Sequence, residues 1–409
     1  MFSIYTISMA KSNKNNREIY LDCASSALRL SPNVGAIHKL GVKEKNKLDN
    51  ARKQIAEILK AYSNEVIFTS GATESNNLAI QGIVSECWTP RIQVSNTRKP
   101  HIITTNVEHS SVLEVCRHLE QSKQAKVTYV KVEKNGIVDV KKIKKAFKSN
   151  TVLVSVMYAN NEIGTIQPIR EIAKEVRYFK KTNSKKVYFH TDATQATNYL
   201  SMNVEQLGVD LMSFNSAKIY GPKGIGVLYV KKNTPIKKIM FGGDQEFGLR
   251  PGTENVDLIV KLAETLSETE KIKEKESKRL QKLRDYFIDK IFKKTTNPAI
   301  AEYKVILNGD REKRLPNNIN ITIPEIPSDL LVIELSARGI MASSKSACKS
   351  SSKEGSYVIK AIHPEIDFEI GGLRFSLGRE TTKGDIDYTV KALTQILKKL
   401  KKWYTPTPI

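Results

Sequence analysis

What this 409-residue chain lacks narrows the field first. No apolar run approaches the roughly 18–20 residues that a membrane-spanning helix needs, so no helix here can cross a bilayer. Cysteine is scarce: Cys23, Cys87, Cys116 and Cys348 are the only four, and they form neither a CxxC pair nor a zinc-ligand spacing. Free thiols in a reducing compartment are the simplest expectation, with no metal site. There is no internal repeat and no proline-rich or glycine–serine linker, which speaks against solenoids and strings of modules. The opening residues, MFSIYTISMAKSNKNNR, contain no acid, yet they also lack an arginine-rich amphipathic pattern and a secretory cleavage site. No targeting segment is expected, and the residues before Met9 read as a frayed or over-annotated start.

Acidic residues are outnumbered, 43 Asp+Glu against 66 Lys+Arg, for a formal net charge of +23. The lysines spread over helix-like faces such as VKKIKKAFK and ILKKLKKW and are not interleaved with aromatics, so direct nucleic-acid binding is not expected. With 40% hydrophobic and 27% charged residues the chain is an ordinary globular protein, long enough for a large core.

Short apolar runs alternate with helix-like stretches. A helical pattern from Asn33 to Tyr62 precedes VIFT at Val66, and HIITT at His101, KVTYV at Lys126, TVLVSVM at Thr151, KVYFH at Lys186, VDLMSF at Val209 and IGVLYV at Ile225 follow. Strands in such alternation predict a mostly parallel, buried sheet of seven strands covered by helices, with ligands at the strands' carboxyl ends. After about Asp257 a long charged helix leads into KVILN, NINITI and further helices, the texture of a smaller α+β domain. The predicted division is 17–257 for the large α/β domain and 258–409 for the small one, with the N-terminal segment able to pack against the latter.

Three constellations carry chemistry, each with a plainer alternative. VIFT runs into SGATESNN, where backbone N–H groups, the Thr73 hydroxyl and a helix start suit a phosphate; an ordinary helix cap would look the same. Asp192 in VYFHTDATQA follows a buried strand, so its carboxylate needs a positive partner such as a protonated pyridine nitrogen, unless it only caps a helix. Lys218 in SAKIYGPKGIG precedes a glycine-rich turn and is a Schiff-base candidate or an exposed loop lysine. Strand, Asp, strand, Lys in that order favours a pyridoxal phosphate enzyme.

With these residues in place, the chain resembles the cysteine desulfurases of the IscS/NifS type, class V aminotransferases of pyridoxal phosphate fold type I. The likeness runs from YLD at Tyr20 through FTSGATESNNLAI, VEHSSVLEVCRHLE, NNEIGTIQPI, HTDATQ, KIYGPKGIGVLYV and RPGTEN to SACKSS and LRFSLGRETT. The resemblance implies that Lys218 holds pyridoxal 5′-phosphate as a Schiff base and afterwards acts as the base. It implies that Asp192 bonds the pyridine nitrogen, Gln195 the ring hydroxyl, and Ala72 and Thr73 the phosphate. His109 would stack on the ring and move protons; by itself it also reads as a helix-start histidine. Asn161 would lie beside the ring and substrate, Arg374 would bind the substrate carboxylate, and Thr253 would reach the cofactor of a partner subunit, making a homodimer. Cys348 would attack the sulfur of bound L-cysteine and keep it as a persulfide, for delivery to an acceptor such as an iron–sulfur scaffold or a tRNA-thiolation enzyme in the cytoplasm. The polar surroundings of Cys348, with Lys345 and Lys349 close by, favour an exposed thiolate, whereas Cys23, Cys87 and Cys116 are expected to be core or half-buried. Selenocysteine lyase is the alternative chemistry, and a catalytically silent scaffold the alternative class.

The pattern departs from the family at several points. Ala217 stands where a histidine usually precedes the lysine, and Asn215 where a serine bonds the phosphate; Asn215 and Ser216 can supply part of that contact. Gln245-Glu246-Phe247-Gly248 replaces Gln-Glu-Arg-Gly, Lys345 replaces a glycine, and Ser25-Ser26-Ala27 replaces Thr-Thr-Pro.

Overall fold

The computed structural model describes residues 19–27, 31–87, 99–293, 300, 302–344, 355–366 and 370–404. Cys348, its neighbours Lys345 and Lys349, and Met9 lie outside the described residues.

Seven strands form one sheet: β1 (Val66–Thr69), β2 (His101–Thr105), β3 (Lys126–Val130), β4 (Thr151–Ser155), β5 (Tyr188–Asp192), β6 (Leu211–Asn215) and β7 (Gly226–Val230). Their spatial order is β1-β7-β6-β5-β4-β2-β3. The β3-β2-β4-β5-β6 ladders are parallel, and β7 runs antiparallel to both β6 and β1. β1, β2 and β7 are buried at every position, and none of them alternates between apolar and charged residues. Two apolar clusters fill the two faces. One gathers Ile103, Val154, Phe189, Met212, Phe214 and Val227 under α1 (Lys39–Leu59) and α5 (Ile169–Asn183); the other sets Ile67, Ile102, Leu153, Leu211 and Leu228 against α2 (Ala72–Cys87) and α3 (Ser110–Gln121).

The long charged helix of the sequence is α7, Val256–Phe292. Its first turns bury Val256, Ile259, Leu262 and Leu266 in the core of the large sheet. Its last turns bury Leu280, Phe287, Ile288 and Ile291 in a separate core beside an antiparallel sheet of β8 (Ile306–Leu307), β9 (Asn318–Thr322) and β10 (Leu373–Ser376), ordered β10-β9-β8. One helix thus belongs to both cores and crosses residue 258 without a break. No described helix is long and apolar enough to cross a membrane.

Local differences from the sequence expectation have local causes. Asp192 is the last residue of β5 and not the first residue after it, because the parallel ladder to β6 continues through Asp192 and Ser213. Cys23 is exposed instead of half-buried: it sits in a turn where Ser25 donates to the Asp22 carbonyl, away from the apolar clusters.

Candidate active site

The carboxyl ends of β5 and β6 and the N-termini of α2 and α3 open on one cavity of about 410 Å³. Ala72, Thr73, His109, Asn161, Asp192, Gln195, Asn215, Lys218 and Arg374, drawn from six separate stretches of chain, all line it. Its size suits a cofactor-sized ligand.

At one end α2 begins at Ala72, so the positive end of its dipole and the Thr73 side chain border the cavity. The turn before it is tightly packed. A Cβ on Gly226 would stand 2.6 Å from the Cα of Gly71 and 3.0 Å from the Phe214 carbonyl oxygen, so only glycine lets β7 pass this turn. Beside it, Asn215 caps the short turn Ser216–Lys218 by accepting from the Lys218 N–H at 3.3 Å, and the Asn198 amide holds the Lys218 carbonyl. Asn215 therefore both lines the cavity and shapes the turn that carries Lys218.

Asp192 is only 5% exposed. Its Oδ1 accepts from the Thr194 N–H at 2.9 Å and its Oδ2 from the Asn76 amide at 2.7 Å. Both donors are neutral, and among the described residues Asp192 makes no ion pair. His190, two residues earlier, bridges Ser155 at 2.9 Å and Ser213 at 3.0 Å, and burial, outweighing the Asp192 charge, pushes it down to about 4, so it is neutral. Beneath them Glu108 is fully buried, and burial, with a smaller push from Asp192, raises it to about 8 against the hydrogen bonds from Thr105 and Met157.

On the other side His109 caps α3, its Nδ1 accepting from the Ser111 N–H at 3.1 Å. The turn 160–164 presents Asn161: Asn160 Oδ1 takes the Glu162 and Ile163 N–H groups at 2.8 and 3.0 Å, and Gly164 closes it at φ +72. The small sheet clasps this turn, since Asn318 and Asn320 both donate to the Glu162 carbonyl, at 3.1 and 3.0 Å. Arg374 on β10 donates from Nη1 to the Asn161 carbonyl at 2.9 Å and is bridged through its backbone to Ser343. Burial lowers the Arg374 guanidinium, and the Glu162 carboxylate opposes the effect.

Two expected site residues are placed elsewhere. Ser216 is completely buried with its hydroxyl against Gly221, on the side of α7, and does not line the cavity. Thr253 is exposed and outside it as well. Sequence reasoning missed Asn76, Ser111, Thr194 and Ser376, which adjoin motif residues, and Leu315, Asn317 and Asn318, which no motif marks and which arrive with the start of β9.

The fit to pyridoxal phosphate rests on these atoms. Among the described residues Asn161 Oδ1, Thr194 Oγ1 and Arg374 Nε are buried without a protein partner, and a buried carboxylate with only neutral donors suits a cationic ring nitrogen. A helix N-terminus, a lysine and an arginine complete a site for a phosphorylated aldehyde and a carboxylate-bearing substrate. Residues 5–389 match the family model described as aminotransferase class-V. The chain belongs to that family. It is 41% identical over 399 residues to the cysteine desulfurase IscS of Dictyoglomus turgidum, covering 94% of this chain and 96% of that one. It is 39% identical over 367 residues to the human cysteine desulfurase, covering 89% and 75%. A solved NifS-like protein superposes with a TM-score of 0.77 at 32% identity, covering 90% of this chain and 92% of the other. This family member has the α/β fold expected of type I pyridoxal phosphate enzymes, with a seven-stranded, mostly parallel sheet and a small antiparallel one.

Proposed function

We propose that this chain is a pyridoxal phosphate-dependent cysteine desulfurase, converting L-cysteine to L-alanine and retaining the sulfur as a persulfide on Cys348. The observation that carries the reading is the convergence of Lys218, Asp192, His109 and Arg374 on one cavity. Bound there, pyridoxal phosphate supplies an electron sink that makes the Cα–H of cysteine acidic. Thr73, the α2 N-terminus and Asn215 hold its phosphate, Asp192 its ring nitrogen and Gln195 its ring hydroxyl. Lys218 would hold the aldehyde carbon, and its amine is the group placed to accept the Cα proton. Arg374 orients the substrate through its carboxylate, and Asn161, held by the small sheet, closes the same side.

The sulfur step is balanced by the enzyme thiol: Cys348 sulfur bonds the substrate sulfur, the Cβ–S bond breaks, and protons delivered to the substrate carbon skeleton leave alanine. Cys116 and Cys87 suit it poorly. Burial pushes the Cys116 thiol up to about 12 and raises that of Cys87, so both stay protonated. Ser343, five residues before Cys348 in the sequence, pairs its backbone with that of Arg374.

A homodimer belongs to the same proposal. Thr253 is exposed, and the loop leading to it displays Phe241 and Phe247 at 83% and 57% exposure, apolar surface that a second copy would cover. The persulfide would pass to a separate acceptor protein.

The test is an absorbance spectrum of purified protein followed by alanine and sulfide assays with L-cysteine. A yellow protein whose alanine release collapses in Cys348→Ala supports the reading. A colourless protein, or undiminished turnover in the mutant, removes the cofactor or Cys348 from it.

A further inference from the structure

Asn76 lies one turn into α2, three residues after Thr73, and is completely buried. Its Oδ1 has no partner among the described residues, so a buried amide is kept at a position where leucine would fill the core without that cost. Its two amide hydrogens explain its presence. Nδ2 lies 2.7 Å from Asp192 Oδ2 and 2.8 Å from Ser111 Oγ. A carboxylate only accepts, so the amide must turn its NH2 toward Asp192, and the second hydrogen then points at Ser111. With its oxygen accepting, the Ser111 hydroxyl sends its own proton to His109 Nδ1 at 2.8 Å. The Ser111 backbone N–H reaches the same nitrogen at 3.1 Å. Nδ1 therefore carries no proton, and the ring of neutral His109 is held in the Nε2–H tautomer.

The geometry points to Asn76 and Ser111 as positioning residues that tie Asp192 to His109 through one hydrogen-bonded chain, fixing the two groups proposed to flank the cofactor ring as a unit. This inference rests on the desulfurase reading for its consequence, though not for its geometry. The chain runs Asp192, Asn76, Ser111, His109, joining the end of β5 to the start of α3 across α2. Its members are at most 8% exposed apart from His109, so water does not substitute for a missing link at no cost. Arg374 stands outside it, bonded to the Asn161 carbonyl.

The test uses the full chain with 15N-labelled histidine, and Ser111→Ala, Ser111→Thr, Asn76→Leu and the Ser111→Ala/Asn76→Leu double variant. Loss of an O–H donor moves the His109 Nδ1 resonance downfield by several parts per million in Ser111→Ala, and by less in Asn76→Leu, whereas Ser111→Thr keeps the parent signal. In the loaded enzyme Ser111→Ala lowers kcat for cysteine-dependent alanine release by roughly two- to tenfold, about 0.4–1.4 kcal/mol, with KM unchanged. The double variant falls short of the product of the single effects, as expected for neighbours in one chain. An unmoved Nδ1 resonance in Ser111→Ala, equal losses in the Thr and Ala variants, or single effects that multiply would overturn the proposal. A parent enzyme that releases no alanine from cysteine instead refutes the desulfurase reading, and the resonance still reports on the chain.

Discussion

Replacing Arg374 by lysine keeps the charge and removes the fork. In the structure one arm, Nη1, is spent on the Asn161 carbonyl at 2.9 Å, while Nε is buried without a partner. The guanidinium can hold Asn161 and a substrate carboxylate together; a single ammonium on a flexible stem must choose. One charge-assisted hydrogen bond is worth about 1.5–3 kcal/mol, so kcat/KM for L-cysteine should fall by roughly 10- to 150-fold in Arg374→Lys. The carboxylate is gripped equally before and during the reaction, so the loss should appear in KM, with kcat within about threefold of the parent. The assay is initial-rate alanine formation across a cysteine titration, with the visible absorbance band as a check that the cofactor is loaded. If kcat/KM changes by less than about twofold, or if the whole loss sits in kcat, Arg374 does not bind the substrate carboxylate.

Lys218→Ala should abolish the visible band of a covalently held cofactor and all turnover, which a spectrum and an alanine assay will check. Glu246 and Arg52, both 6% exposed, are joined by bonds of 2.7 and 2.8 Å, and Glu246 also accepts from the Phe68 N–H at 2.8 Å. Glu246→Ala leaves a buried guanidinium and should cost about 3–5 kcal/mol in urea unfolding, most of it recovered in an Arg52→Met/Glu246→Leu double variant; a single-variant loss below about 1 kcal/mol refutes the pairing argument. Gly226→Ala should weaken cofactor retention in dialysis by pushing Gly71 and the start of α2 outward, with an unchanged retention counting against the close-packing account.

A pH profile of stability tests the buried groups. Burial, aided by the charges of Lys148 and Lys126, lowers His101 to about 4, as burial lowers His190, so the unfolded chain binds two protons below about 6.5 that the native state refuses. Stability is lost as the pH falls from 6.5 toward 4. Glu108, raised to about 8, works in the opposite sense: the native state keeps a proton that the unfolded chain releases above about 4.5, and stability is lost as the pH rises through 8. From these three groups the unfolding free energy from urea titrations should peak near pH 6.5 and decline by about 1.4 kcal/mol per pH unit on either side, the acid limb being two histidine protons offset by the one on Glu108. Glu108→Gln should flatten the alkaline limb and steepen the acid limb to about 2.7 kcal/mol per pH unit.

The seven strands were legible because buried strands read as short β-branched and apolar runs such as VIFT and TVLVS, and α7 because its sequence is charged and rich in helix formers. Thr73, Asp192 and Lys218 stood out as candidates because they lie at a helix start, a strand end and a turn, where residue type is tied to local geometry, whereas Asn161 was marked only by the family resemblance. Antiparallel β7 was not, since a strand buried on both faces has the same composition in either direction. Nor could one serine be told from another: Ser216, beside Lys218, turns its hydroxyl into the protein, while Ser111, which only follows His109, is bonded into the site.

By itself the sequence determined the order of elements and the chemical groups at their ends, because periodicity and capping are properties of neighbours along the chain. Tertiary structure alone decided which of those groups meet. Asn76, Asp192 and His109 come together because α2 lies over the ends of β5 and α3, and Arg374 reaches Asn161 because two small-sheet asparagines clasp the Glu162 carbonyl. Such contacts join residues from 35 to 213 positions apart, and no local pattern encodes a distance that only packing sets.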